Sequence, residues 1–252
     1  MNSSANSQPA SAEDAVYYHN DIYGSKILVG LLESYLGERV LEVGAGTGFI
    51  TQELAGVTKK VVAIEPNRAL FNELIERTHH LSNVSVLNTT LEEFIRDQRV
   101  KPDGVERFDS AVYINVLEHI ERDREELSLA KQVLSETGHV LIVVPAHQWL
   151  YSKVDQLSGH FRRYSKAGIA SLLGEAGLRP KTIQYFDSVG LLPYLIMYKW
   201  FCSTAVAGAN AAIYSRVILP AARVLHRLSR GRLIGKNLVV VAELDGEPLR
   251  RP

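Results

Sequence analysis

Three glycines, Gly44, Gly46 and Gly48, stand within five residues directly after the apolar run Val40-Leu41-Glu42-Val43. A buried strand that enters a glycine-rich turn and then a helix is where doubly wound folds hold a nucleotide-like ligand, at the carboxyl ends of the strands. Glycines there let the backbone approach the ligand with no Cβ in the way. The dinucleotide fingerprint would place its third glycine at position 49, where Phe49 stands, so the spacing is G-x-G-x-G instead. Glu65 closes a second apolar run, Val61-Val62-Ala63-Ile64, seventeen residues after Gly48. A carboxylate offers only acceptors, which suits the two hydroxyls of a ribose. The plainer readings are a tight turn for the glycines and a helix start for Glu65-Pro66-Asn67, with Asn67 as cap.

A second group of residues suits proton transfer. His147 follows Pro145 past a predicted strand, and an imidazole titrates close to neutrality. Gly159-His160-Phe161-Arg162-Arg163-Tyr164 packs a base, two guanidinium groups and a phenol into one short stretch. The alternatives are a solvated loop histidine and a helix cap with solvated arginines. His79, His80, His139 and His226 sit at helix ends, beside a turn glycine or among arginines, and carry no such expectation.

The elements that must position these residues are legible as an alternation of short β-branched runs and longer amphipathic stretches, which predicts βαβ units and a mostly parallel sheet. Strands are expected at Arg39 to Val43, Lys60 to Glu65, Val84 to Asn88, Phe108 to Ile114, His139 to Val144, Thr182 to Phe186 and Asn237 to Leu244. Helices are expected at Asn67 to His79 and Arg122 to Leu134. The fold class is therefore α/β, a Rossmann-like doubly wound seven-stranded sheet. About fifty residues separate the last two strands, too many for a plain loop, so 189–236 is read as a helical cap or docking insertion before the last strand. A flexible tail is expected over residues 1–14, which carry little bulky apolar side chain, and residues 15–252 form one domain.

With these residues in hand, the chain resembles the class I S-adenosylmethionine-dependent methyltransferases, including members associated with glycan and natural-product pathways. Their glycine motif matches Glu42 to Gly48 and their ribose-binding acid matches Glu65. Asn115-Val116-Leu117-Glu118-His119 is similar to the segment after their fourth strand, and Leu134-Ser135-Glu136-Thr137-Gly138 to the turn before their fifth. Tyr151, Asp155 and the Gly-His-x-Arg-Arg-Tyr stretch also look alike. The resemblance implies S-adenosylmethionine held by Glu42, Gly44, Ala45, Gly46, Gly48, Glu65, Thr90, Leu91 and Asn115. It departs at Thr90, where many members carry an acid for the adenine amino group, so Thr90 or the backbone at Leu91 would serve. The implied reaction is methyl transfer to a small-molecule acceptor, at oxygen of a sugar, lipid-linked glycan or natural product, with His147, His160 or Tyr164 in catalysis. A nicotinamide-dependent oxidoreductase and a non-catalytic cofactor-binding protein are the rival readings.

Some related methyltransferases bind a divalent cation through Glu-x-x-Glu-His after the fourth strand. Here Asn115 replaces the first carboxylate, removing a charge that hard cations favour, so no required metal is expected and Glu118 and His119 are left as lining residues. The 28 basic and 28 acidic residues balance, which gives no reason to expect nucleic acid as partner. Cys202 is the sole cysteine, which excludes an internal disulfide and fits a cytoplasmic setting. The longest uncharged run in the apolar region, Trp200 to Ser215, is shorter than the roughly 20 residues that span a bilayer. From Ser188 to Ala242 there is no Asp or Glu, while Lys199, Arg216, Arg223, Arg227, Arg230, Arg232 and Lys236 are all basic. That segment could be a solvated cap, a clamp for an anionic acceptor through Arg contacts, or a peripheral contact with an anionic membrane.

Overall fold

Residues facing one side of the sheet differ from those facing the other by a period of two, and this period builds both hydrophobic layers. Leu41, Val62, Ile64, Val140, Ile142 and Val240 enter one buried cluster, while Val40, Val61, Ala63, Leu141, Val239 and Val241 enter the other. Strands apolar on both faces belong in the middle of a sheet covered by helices.

The computed structural model describes residues 22–99, 104–196 and 214–246. Seven strands form one sheet in the order β3-β2-β1-β4-β5-β7-β6. They are β1 (Arg39–Val43), β2 (Lys60–Ile64), β3 (Val84–Leu87), β4 (Phe108–Ile114), β5 (Leu134–Pro145), β6 (Leu178–Phe186) and β7 (Asn237–Leu244). The first five are parallel, and β7 inserts antiparallel between β5 and β6. The chain reverses direction in the strand order between β1 and β4, which opens a crevice at their carboxyl ends.

The helices are α1 (Ile22–Leu32), α2 (Phe49–Val57), α3 (Arg68–Thr78), α4 (Leu91–Arg99), α5 (Asp123–Val133), α6 (Lys153–Leu157), α7 (Lys166–Glu175), α8 (Leu191–Tyr194) and α9 (Leu219–Ser229). Leu28, Leu54, Leu74 and Leu219 put α1, α2, α3 and α9 on one face of the sheet, and Phe94, Leu127 and Ile169 put α4, α5 and α7 on the other. Asn67 caps α3 by accepting from the Ala69 and Leu70 N–H groups, as its sequence position predicts.

Three sequence expectations change. The stretch Leu134 to Gly138 belongs to β5 rather than to a separate turn, and its extra residues are absorbed where the pairing with β4 shifts between Phe108 and Ser110. β6 starts at Leu178, before the predicted Thr182, and tolerates Pro180 because an edge strand has one unpaired side. α1 had no strong sequence signal and was not expected. The described part of the insertion before β7 contains α8, a turn of π-helix at Tyr214–Ile218 and α9, and its last residues, 230–236, are not helical. The expected tail over 1–14, Lys199, Cys202 and the uncharged run up to residue 213 lie outside the described residues.

Candidate functional site

A cavity of about 780 Å³ opens at the carboxyl ends of β1, β2 and β4. Of the expected cofactor residues, Glu42, Gly44, Ala45, Gly46, Glu65, Thr90, Leu91 and Asn115 line it. Gly48 does not. It starts α2 with φ +88, and a Cβ there would come 2.8 Å from Leu74 Cδ1, so its role is to shape the turn against α3.

The other two glycines have distinct reasons. A Cβ on Gly44 would lie 2.7 Å from Val116 Cγ2, so close approach of the two loops requires its absence. Gly46, at φ +56, would carry its Cβ into open space and instead offers its N–H, which donates to Glu65 Oε2 at 2.8 Å. The other oxygen of Glu65 accepts from the Asn67 N–H at 2.8 Å. Each carboxylate oxygen has two acceptor positions, so Glu65 keeps capacity for a diol.

Beneath this turn Glu42 is buried and accepts from the Thr51 hydroxyl at 2.6 Å. Burial pushes its carboxyl up to about 8, against the pull of Thr51, and the charge of Glu65 adds to the rise. Thr90 caps α4 reciprocally with Glu93, accepting from the Glu93 N–H while its own N–H donates to Glu93 Oε2. That occupies the Thr90 hydroxyl and leaves the start of α4 facing the cavity.

The opposite wall comes from much more distant parts of the chain: Glu118, His119, His160, Arg163, Tyr194, Tyr214 and Lys236. Its organising group is Asp155, 1% exposed. One of its oxygens accepts from His160 Nδ1 at 2.9 Å and Arg163 Nε at 2.8 Å, the other from the Ser152 N–H at 2.8 Å and the Tyr194 hydroxyl at 3.0 Å. Burial would raise its pKa, but the His160 bond and the Arg163 charge outweigh it and hold the carboxylate well below its ordinary range. Because an ionised carboxylate only accepts, Nδ1 of His160 must carry its proton, which leaves Nε2 as the free nitrogen.

Glu118 is buried, and neither of its carboxyl oxygens has a hydrogen-bond partner among the described residues. Burial pushes its pKa up to about 8. His119 packs edge-on to His160 with ring centroids 4.6 Å apart, and its pKa is pulled down to about 4 by desolvation and then by His160. Ligand atoms of Glu118, His119 and His160 lie within 4.8 Å of one another. A second buried pair, Lys236 Nζ with Asp187 at 3.4 Å, closes the wall, and Asp187 also accepts from the Tyr214 hydroxyl.

The expected catalytic residues separate here. His160 reaches the cavity; His147 and Tyr164 do not. Nε2–H of His147 donates to the Gly235 carbonyl at 3.1 Å, and its ring stacks on Tyr185, so it ties β5 to the segment before β7. Tyr164 is buried, and its hydroxyl donates to Asp123 Oδ2 at 2.9 Å with the Leu117 carbonyl as the alternative acceptor at 3.1 Å, which anchors the loop after β4. Nor do Arg223, Arg227 and Arg230 line the cavity, which removes them as holders of an acceptor within it. Asp187, Tyr194 and Lys236 were missed by sequence reasoning. For Asp187 and Lys236 a signal exists, because β6 and β7 pair antiparallel with Phe186 opposite Asn237, which brings the two flanking charges together. Tyr194 offers none.

A family model described as a methyltransferase domain matches residues 23–182. The chain is 28% identical over 109 residues to a ubiquinone biosynthesis O-methyltransferase of Glaesserella parasuis serovar 5 (strain SH0165), an alignment covering 42% of this chain and 44% of that one. The chain spans less than half the length of the curated relatives it matches. Among solved structures it superposes on an S-adenosylmethionine-dependent methyltransferase of Archaeoglobus fulgidus with TM-score 0.60 at 16% identity, covering 89% of this chain and 95% of that one. The [4+2]-cyclase SpnF superposes with TM-score 0.59 at 17% identity, covering 90% and 86%.

Proposed function

The chain belongs to the methyltransferase-domain family, and on that premise we propose that it is an S-adenosylmethionine-dependent methyltransferase that methylates a hydroxyl oxygen of a small-molecule acceptor, with His160 as the base. The observation that carries this reading is the Asp155–His160 pair, which fixes the imidazole tautomer of a residue that lines the cofactor cavity. Bound S-adenosylmethionine supplies a methyl group already activated by the positive sulfur. Glu65 and the Gly44–Gly46 backbone hold the cofactor's ribose and amino-acid parts, and Glu42, Ala45, Thr90, Leu91 and Asn115 complete that wall. His160 takes the proton of the acceptor hydroxyl, Asp155 stabilises the imidazolium formed, and Arg163 and Tyr194 keep Asp155 in place. Tyr194, Tyr214 and Leu219 cover the cavity from water.

The charges of the wall favour an uncharged hydroxyl over an anionic acceptor at the reacting end. Arg163 and Lys236 are buried, and each contacts a buried carboxylate, Asp155 or Asp187. In this reading the exposed Arg227 and Arg230 of the basic segment, which do not line the cavity, meet an anionic membrane surface rather than the acceptor. SpnF shows that this fold also carries a cyclase, so turnover is the decisive measurement. With methyl-labelled cofactor and a crude extract as acceptor source, His160→Ala should lower turnover roughly 100-fold while S-adenosylhomocysteine affinity stays nearly unchanged. Undiminished turnover would remove His160 from the mechanism.

One observation favours a second reading. The expectation of no required metal rested on Asn115, yet the cluster of Glu118, His119 and His160 bypasses position 115. A carboxylate with two imidazoles, one oriented by Asp155, suits a transition-metal ion such as zinc, which lowers the pKa of a bound hydroxyl. Chelation should leave turnover unchanged if His160 acts alone. Loss restored by a stoichiometric divalent ion would establish the second reading.

A further inference from the structure

Helix α9 is apolar on both sides. Its inner side buries Leu219 and Ala222 against the sheet, and His226 Nδ1–H donates to the Tyr185 carbonyl at 2.9 Å. The outer side is a stripe at helical spacing, Val217, Ala221, Val224 and Leu228, all exposed; Leu228 is 78% exposed. A run of exposed apolar side chains along one helix face suits a contact surface when its flanking charges suit one too.

The charges around the stripe identify what it contacts. Lys26 on α1 and Arg216 and Arg223 on the α9 side converge with Ser215 and Pro220 around a separate cavity of about 430 Å³. No acidic side chain is among its described lining residues. Nε of Arg223 is buried and has no hydrogen-bond partner among the described residues. The guanidinium lies over Gly30 of α1, where a Cβ would come 2.7 Å from Nη2, so the small residue makes room for it. Arg227 and Arg230 extend the positive charge along the exposed side, in a segment with no Asp or Glu from Ser188 to Ala242. The Arg223 guanidinium with the Lys26 ammonium nearby matches phosphate oxygens.

We propose that the outer face of α9 and the turn before it dock on an anionic phospholipid surface, with Val217, Val224 and Leu228 entering the interface and the cavity beside Lys26 and Arg223 taking a lipid phosphate. Apolar burial and attraction between basic side chains and anionic headgroups then act on one helix together. Because Tyr214 and Leu219 of the same segment wall the cofactor cavity from within, docking sets that cavity one helix thickness from the bilayer. The proposal refines the membrane contact assigned above and does not depend on which residue is the base.

Sedimentation with vesicles tests it. The intact chain should pellet with phosphatidylcholine vesicles containing about 30% phosphatidylglycerol, a composition at which basic surfaces bind by charge, and not with pure phosphatidylcholine. The bound fraction should fall roughly tenfold as salt rises to about 0.5 M. Val224→Ser with Leu228→Ser, and separately Lys26→Ser with Arg223→Ser, should each weaken pelleting about tenfold or more while S-adenosylhomocysteine still binds, which shows that the variants are folded. Failure of the intact chain to pellet at low salt, equal pelleting with neutral vesicles, or variants that pellet like the intact chain would overturn the proposal. So would salt-resistant self-association without vesicles, because the stripe would then be covered by a second copy. Absence of methyl transfer by an intact chain that still pellets would count against the proposed activity and leave the docking surface standing.

Discussion

Two buried carboxyl groups on facing walls of the cavity, Glu42 and Asp155, are held in opposite ways, while Glu118 on the wall of Asp155 is raised as Glu42 is. On the cofactor side, Glu42 meets only a hydroxyl and a like charge, and burial pushes it up to about 8. Across the cavity, Asp155 is at least as buried, yet His160, Arg163, Ser152 and Tyr194 hold it as a carboxylate. The first wall uses backbone N–H groups and glycine mainly from residues 42–67, with Thr90, Leu91 and Asn115 completing it. The second uses side-chain ion pairs drawn from five segments between Glu118 and Lys236. Backbone geometry suffices to hold a ligand that stays chemically the same family-wide, whereas a proton-handling wall needs charges fixed in space before the acceptor arrives. Breaking either wall should therefore damage a different property.

The largest effect is expected at the glycine turn. Gly46→Val places a branched side chain in space that is open in the free protein, so S-adenosylhomocysteine binding should become undetectable by calorimetry. Unfolding should shift by only about 1–2 kcal/mol, the cost of a positive φ for an L-residue. Gly48→Ala is the contrasting variant, since its Cβ meets Leu74 and no cavity wall: stability should fall while binding by the folded protein persists. Binding that survives Gly46→Val would mean the cofactor does not pass over this turn.

The next effect belongs to the acceptor wall. Asp155→Asn leaves Arg163 buried without its counter-charge, which costs about 3–5 kcal/mol in comparable pairs. Urea unfolding at neutral pH should show the loss. The sign follows from the depressed folded pKa of Asp155: its contribution is present above the ordinary carboxyl value and lost as pH falls through the folded one. The gap between intact and variant chains should therefore close in acid. A gap independent of pH would mean that the variant loses packing and no ion pair.

The cofactor wall was the more legible in sequence because its signals are local. Gly44, Gly46 and Glu65 act through the turn and strand end in which they stand, and the seven strands could be placed from β-branched runs. Gly48 was read as a ligand contact because spacing alone cannot separate a glycine that faces the cavity from one that faces Leu74. His147 and His160 looked equivalent as isolated imidazoles. What separates them is a partner, the Gly235 carbonyl for one and Asp155 for the other, and for His147 that partner is distant in sequence. Tyr194 was invisible for the same reason, because its meaning comes from Asp155 across the fold, whereas Lys236 was read only as one charge of a basic segment until the β6–β7 register set it beside Asp187. α1 escaped notice because its buried residues spread around much of the helix, Ser25 included, so no clean stripe appears.

The smallest expected effect sharpens the contrast between the walls through pH alone. The folded pKa of Glu42 is raised to about 8 from an ordinary value of 4.5, so the native state keeps a proton that the unfolded chain releases. Stability from this group is full below pH 4.5, declines as pH rises toward 8, and levels off above it. A tenfold change in proton affinity corresponds to about 1.4 kcal/mol, and relaxation of the ionised site reduces the realised total to a few kcal/mol at most. Glu42→Gln keeps the shape and the acceptor for Thr51 but cannot titrate. Its melting temperature should equal or trail that of the intact chain at pH 5.5 and exceed it at pH 8.5, the reverse of the trend at Asp155. Glu118, also raised to about 8, tilts both chains equally and cancels in the difference. Added S-adenosylhomocysteine should shrink the pH 8.5 gap if the bound ligand supplies a donor or positive charge to Glu42, and should widen it if the ligand only seals the carboxyl further from water. Parallel melting curves across the whole range would mean that Glu42 is ionised in the folded protein, and the electrostatic contrast between the two walls would fall with it.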